Sequence, residues 1–344
     1  MPVNQTELSG NGALLDKDGK LISAGWASGT VFEFHRDQLP AMRRSFRLRE
    51  RDRFIITSPD GQIIMSISDF GYYGMISATI AGCEDEFEMT SDLVLLFPFG
   101  RLRLPDSSDG DNLFYRSKKV SLDFTRTPSE WLLRFRFYDF DDVRPLYVSL
   151  TLDPSKQTSF CSSVPYSKDK SCFSCLGRSF GLTASGTAMY GGKTLEFSPD
   201  SSYACHEWLR AVPPKKTQTV WCEGFGQDGD RTIGFCFGRS SADESYATQN
   251  LLIIDGELIK LGRMRIENDP YDHMKPWHIT SGDKDFSLIF TPTVGNSDLR
   301  SMLGLIKDER RYTFGTFSGT IKLGKDIIPI GQINGFAELH SLKG

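Results

Sequence analysis

Most features that announce a reaction are missing from this chain. It has 344 residues but only five histidines and seven cysteines. No Gly-x-Ser-x-Gly elbow marks a nucleophilic serine. No Walker A sequence or Gly-rich strand-to-helix turn marks a nucleotide site. The formal net charge is -4, so the basic footprint of a general nucleic-acid binder is absent. No apolar run approaches the length of a membrane-spanning helix, so no integral membrane segment is expected. The opening segment, Met1 to Glu7, lacks the basic and apolar regions of a secretory signal, which leads to the expectation of a cytoplasmic protein.

The cysteines are Cys83, Cys161, Cys172, Cys175, Cys205, Cys222 and Cys236. An odd number, spread over a long chain with no export signal, predicts free thiols. Cys172 and Cys175 make one close pair, and a structural zinc site wants two. Cys205 and His206 are adjacent and would point to opposite faces of a strand. Neither a metal nor a cofactor is expected.

Helical periodicity is scarce. Leu299, Met302, Leu303 and Ile306 fall at helical spacing within residues 298–310, although a strand and a loop fit that segment equally. What is abundant is β pattern. Ile63, Met65 and Ile67 alternate with Ser66 and Ser68. Leu133, Phe135 and Phe137 alternate with Arg134, Arg136 and Tyr138. Val148, Leu150 and Leu152 share a face, as do Phe317, Ile321 and Leu323. Period two with one polar face means half-buried antiparallel sheet.

Turn chemistry agrees. Ser58-Pro59-Asp60-Gly61, Tyr190-Gly191-Gly192-Lys193 and Gln227-Asp228-Gly229 sit between strand-like runs. Asp255-Gly256, between two apolar runs, is the strongest hairpin signal. Many short strands with Gly-rich turns argue for barrels or a sandwich. The stretch from Asp153 to Ser171, with Pro154 and Pro165, has linker composition and divides the chain into residues 1–165 and 166–344. The basic run from Arg43 to Arg51 is expected to be a solvated strand face with alternating arginine.

Three carboxylates fall on apolar strand faces. Asp69 continues the Ile63, Met65, Ile67 face. Glu207 shares a face with Tyr203 and Cys205, and Glu338 with Phe336 and His340. Inside an apolar barrel, burial would raise such a carboxyl group's pKa and fit it for general acid catalysis. The alternative is a barrel rim, with each paired to an arginine such as Arg210 or Arg36. Trp208, Trp221, Trp277, Tyr72, Tyr73, Phe225 and Phe237 would either line a mainly apolar ligand cavity or simply pack the core.

Several blocks, in order along nearly the whole chain, resemble a bacterial family of unassigned function. They are Leu14-Leu15-Asp16 through Gly25-Trp26, Ser68-Asp69-Phe70-Gly71-Tyr72, Glu207-Trp208-Leu209-Arg210, Ile233-Gly234-Phe235, Thr248-Gln249-Asn250, Lys275-Pro276-Trp277, Phe314-Gly315-Thr316-Phe317-Ser318-Gly319 and Gly335-Phe336-Ala337-Glu338. That family is similar to the hydroxyneurosporene synthase group, which includes carotenoid hydratases, and to fungal lipocalin-like cyclising enzymes. The resemblance implies an all-β fold of two lipocalin-like antiparallel β-barrel domains in tandem, with a ligand cavity near their junction. The chain departs from the family where Gln249 replaces a glutamate, Cys236 replaces an asparagine and Arg311-Tyr312 replaces a His-Gln pair. It looks like a diverged member.

The resulting expectation is a cofactor-independent enzyme acting on an apolar small molecule by proton transfer, through hydration, isomerisation or cyclisation. Asp69, Glu207 or Glu338 would be the acid. Arg210, Asn250 and His278 would orient the substrate, and Trp221 and Trp277 would wall it. The alternative is a non-catalytic binder or carrier using the same cavity. A carbohydrate-active sandwich would instead need paired carboxylates along an open, tryptophan-lined groove.

Overall fold

The computed structural model describes residues 5–10, 12–82, 86–282, 285–302 and 306–343. These residues form two large antiparallel sheets, of 13 and 9 strands, besides a small two-stranded pairing near the start. The fold is all-β, as the period-two patterns require. One short helix, Ala41–Phe46, precedes the first long strand. The segment 298–310, where helical spacing competes with strand, joins the sheet: its described residues belong to the paired strands Phe286–Met302 and Ile306–Leu323.

Along the main path of the first sheet, Phe87–Leu96, Tyr73–Gly82, Gly61–Asp69 and Arg49–Thr57 are followed by Tyr203–Val212, Phe173–Tyr190, Leu146–Asp153, Trp131–Phe137, Val120–Arg126 and Leu113–Arg116. Strand Thr158–Pro165 also pairs with Phe173–Tyr190. Residue 165 therefore lies between two hydrogen-bonded neighbours of one sheet. The chain passes to the second sheet between Val212 and Lys216. Proline and serine near residue 165 mark a turn within the sheet.

The second sheet runs Glu257–Lys260, Leu251–Ile254, Arg231–Arg239, Lys216–Asp228, Asp326–Lys343, Ile306–Leu323, Phe286–Met302, Trp277–Ser281 and Met264–Glu267. It curls until Met264–Glu267 comes back alongside Arg231–Arg239. The Asp255-Gly256 hairpin forms as expected: Ile254 pairs with Glu257, and both turn residues have positive φ, 50° and 85°. That is the twist a two-residue turn needs.

Each sheet wraps its own apolar core. Phe54, Ile56, Ile63, Met65, Ile67, Leu133 and Phe135 fill the first. Phe235, Phe237, Trp277, Leu288, Phe290, Phe317 and Ile321 fill the second. A third cluster, with Ile55, Ile64, Leu176, Trp221, Cys236, Phe314 and Phe336, packs the outer face of one sheet against the other. Buried apolar side chains line each barrel interior, and a cavity lies in the layer between the sheets.

Candidate functional site

Strand alternation builds this layer. Along Arg49–Thr57, Phe54 and Ile56 point into the first core, so Arg49, Arg51, Arg53 and Ile55 point the other way, toward the second sheet. The arginine run is thus not a solvated face: Arg51 is 9% and Arg53 2% exposed. In the neighbouring strand Glu207 lies directly opposite Arg53, and beyond it Arg178 lies opposite Glu207. Directly opposed side chains on one face are close enough to bond. Glu207 accepts from Arg51 at 2.6 Å, Arg53 at 2.9 Å and Arg178 at 2.5 Å.

The second sheet supplies the facing wall. Trp221 pairs with Glu338, and Arg310 with His340. Glu338 accepts from Arg53 across the layer at 2.7 Å. Arg178 also bonds Glu223 and lies 3.1 Å from the Cys236 sulfur. His340 Nε2 lies 2.8 Å from Asp308 Oδ1, and Arg310 Nε is 3.3 Å from the same oxygen.

Between these walls is a cavity of about 130 Å³. Leu176, Leu209, Ala211, Trp221 and Leu342 give it apolar surface. Tyr73, Gln249, Asp308, Arg310, Glu338, His340 and the arginines of the first sheet give it polar surface. An apolar cavity of roughly 150 Å³ takes up benzene, so one ring or a short chain fits without rearrangement.

The electrostatics reverse one expectation. Burial does act to raise the Glu207 pKa, but the charges of Arg53, Arg51 and Arg178 outweigh it and hold the carboxyl well below the usual range. Burial is likewise overcome at Glu338, where Arg53, Arg51 and Arg310 bring it down to about 2. Both are committed carboxylates and not neutral acids. The neutral groups in the wall are others. Burial pushes the Tyr73 phenol up to about 12. Burial and then the Arg310 charge hold His340 below its ordinary value of 6.5, against the opposing pull of Asp308. With the Nε2 proton directed at Asp308, His340 Nδ1 has no hydrogen-bond partner among the described residues.

The remaining sequence candidates lie elsewhere. Asp69 caps a loop, accepting the backbone N–H of Gly71 at 2.9 Å and of Gly100 at 2.7 Å. Arg210 lies on the opposite strand face from Glu207 and bonds Asp52 at 3.0 Å and the Pro105 carbonyl at 2.6 Å. Asn250 ties Gly238 N–H and the Gly262 carbonyl together. Trp277 is sealed in the second core, and His278 is exposed on the strand's outer side. Trp221, Glu207 and Glu338 do line the cavity, as does Gln249. Burial raises the pKa of other carboxylates, Glu50 to about 7 on the far face of the arginine strand, and Glu244 in the same direction.

His340 and Asp308 went unselected in the sequence. His340 shares a strand face with Glu338, a visible signal. Asp308 and Arg310 fall in the segment where helical spacing competes with strand, and only the strand reading puts them on one face.

The described cysteines are free: Cys161, Cys175, Cys205, Cys222 and Cys236 are buried and Cys172 is partly so, while Cys83 lies outside the described residues. Among the described residues no group of three or more His, Cys, Asp or Glu side chains is placed to hold a metal ion. No helix among them is long and apolar enough to cross a membrane.

Two curled antiparallel sheets in tandem, packed outer face to outer face over a mixed cavity, define a lipocalin-like two-barrel protein. The chain belongs to the DUF2804 family, a domain of unknown function, which matches residues 5–343. That match establishes the family resemblance carried by the ordered sequence blocks. The fold is similar to the crystal structure of a protein from Nitrosomonas europaea assigned as an AttH: 11% identity, TM-score 0.51, covering 86% of this chain and 92% of that one. Kievitone hydratase from Nectria haematococca has 12% identity and a TM-score of 0.49 over 86% of this chain and 89% of its own. CghA has 10% identity and a TM-score of 0.45 over 86% and 88%. No curated protein matches in sequence.

Proposed function

We propose that the protein is a cofactor-independent enzyme that acts on a hydrophobic small molecule by proton transfer, through hydration, isomerisation or cyclisation. The observation that carries this reading is the Asp308–His340 pair in the wall of an inter-sheet cavity. A neutral imidazole, oriented by a carboxylate at 2.8 Å and with its second nitrogen unpartnered, is equipped to take a proton. Tyr73, whose phenol stays protonated far above neutral pH, can return one. Apolar walls at Leu176, Leu209, Trp221 and Leu342 suit a hydrophobic substrate body. A full-length carotenoid exceeds a space of about 130 Å³, so the substrate is smaller.

In this reading Glu207 and Glu338 are positioning residues. They stay ionised and fix the arginines, and Trp221 walls the substrate. Their full engagement by arginine also favours a second reading, in which the cavity binds or carries a ligand without changing it.

Solvent labelling separates the two. The protein would be incubated with a lipophilic small-molecule extract in D₂O and in H₂¹⁸O, and the products followed by mass spectrometry. Enzymatic proton transfer puts deuterium into one compound, and hydration adds ¹⁸O. Retention of a compound without label supports the carrier, and labelling that persists in His340→Gln sinks the enzyme reading as stated.

A further inference from the structure

We infer that the ligand of this cavity carries an oxyanion of the carboxylate class, which docks against Arg49 and Arg51 while its apolar body lies along the Trp221 wall. The inference rests on the inter-sheet cavity being the ligand site, and adds the chemical class of what it takes.

Charge balance is the first observation. Five arginines converge on this layer: Arg49, Arg51, Arg53, Arg178 and Arg310. They meet four carboxylates, Glu207, Glu223, Glu338 and Asp308. Since His340 is neutral, one positive charge is left over, and its place is identifiable. Arg49 has no carboxylate partner among the described residues. Its guanidinium bonds only the Leu48 and Phe70 carbonyls, at 3.0 and 3.1 Å, and lies against the rings of Phe70, Tyr72 and Tyr73.

Unmatched donors are the second, independent observation. The Nε atoms of Arg49 and Arg51 are both buried without a hydrogen-bond partner, as are those of Arg53 and Arg178 in the same wall, but of the four Arg49 is the one that also has no carboxylate partner among the described residues. Arg51 is more than nine-tenths buried and spends one nitrogen on Glu207. Buried donors are normally satisfied, and a buried cation normally has an anion beside it. The two arginines are two residues apart on one strand and share its cavity-facing side. Guanidinium groups match a planar carboxylate in shape and charge. The apolar lining at Leu176, Leu209, Trp221 and Leu342 suits a hydrophobic body on the same molecule.

The test is isothermal titration of the full chain at pH 7 with two matched pairs of probes. These are phenylacetate against 2-phenylacetamide, and 4-phenylbutyrate against 4-phenylbutyramide. Each acid should bind about tenfold more tightly than its amide, the scale of one charge-assisted contact. The preference should collapse in Arg49→Gln and persist in Arg49→Lys. Arg49 bonds no carboxylate, so Arg49→Gln leaves the buried ion network complete, and its thermal unfolding would be recorded alongside. Equal binding of acid and amide, no binding of either acid, or an acid preference that survives both Arg49→Gln and Arg51→Gln overturns the inference. The solvent-labelling result is independent. Labelling with no acid preference removes only the oxyanion, and acid preference without labelling removes only the enzyme.

Discussion

Arg53 and Glu338 stand 285 residues apart in the chain and 2.7 Å apart in space, one from each sheet. Both are buried, at 2% and 4% exposure. Removing one member leaves the other charged and desolvated. Arg53→Ala should therefore cost about 3–5 kcal/mol in urea unfolding. Replacing both with Met should cost less than the two single changes together, because no orphan charge remains. Additive losses would show that the pair does not join the sheets energetically.

Acid should separate the layer before it reaches the two cores. Glu338 has its pKa lowered from 4.5 to about 2, and Glu207 and Asp308 are lowered in the same direction. As pH falls below 4.5 the unfolded chain takes up protons that the folded chain refuses, so stability falls with pH. This contribution is fully present above about pH 5 and is lost progressively as pH drops below 4.5, for Glu338 through its folded value of about 2. Urea midpoints should decline between about pH 4.5 and pH 2.5. In Glu338→Gln the decline should be shallower. An unchanged slope would reject Glu338 as one of its sources.

In the proposed reaction His340 is the base and should set the pH dependence of turnover. Its pKa lies below 6.5 in the folded protein, and a base must be unprotonated to work. The rate should climb as pH rises through that lowered value and be level by about pH 7. His340→Gln should lower the rate by about a hundredfold or more, and Tyr73→Phe by roughly tenfold, with little change in thermal unfolding. A profile with its midpoint above 6.5 would point to another base.

Asp69 should matter for stability and not for chemistry. Its carboxylate holds two backbone N–H groups, from Gly71 and Gly100. Asp69→Asn keeps one accepting oxygen and should destabilise by about 1–3 kcal/mol. Activity per folded molecule, measured well below the unfolding temperature, should match the parent protein. A selective loss of rate would return Asp69 to the site.

Much of the fold was legible because sheet patterns are local. Leu133, Phe135 and Phe137 are all buried while Arg134 and Arg136 face out, as alternation requires. The Asp255-Gly256 turn follows from its own two residues. The site was harder to read because it forms where outer faces meet, and a sequence does not say which faces meet. Arg51 and Arg53 look like solvent-facing residues until a second sheet covers them. Glu207 and Glu338 were visible as carboxylates on apolar strands, but their ionisation depends on arginines brought close by strand pairing and by the approach of the second sheet. Trp277 and Asn250, prominent in the family blocks, turn out to hold the second sheet together.

Strand Tyr203–Val212 is seated between Arg49–Thr57 and Phe173–Tyr190. During synthesis, the early strands therefore wait for a segment made more than a hundred residues later before their sheet becomes continuous. Such distant pairing is slow and leaves strand edges open for longer. A fragment cut at residue 165 would lack this strand and should aggregate, whereas one ending just past Val212 contains every strand of the first sheet. The shortest piece worth expressing alone is set by the insertion of that strand, well beyond the proline-rich turn.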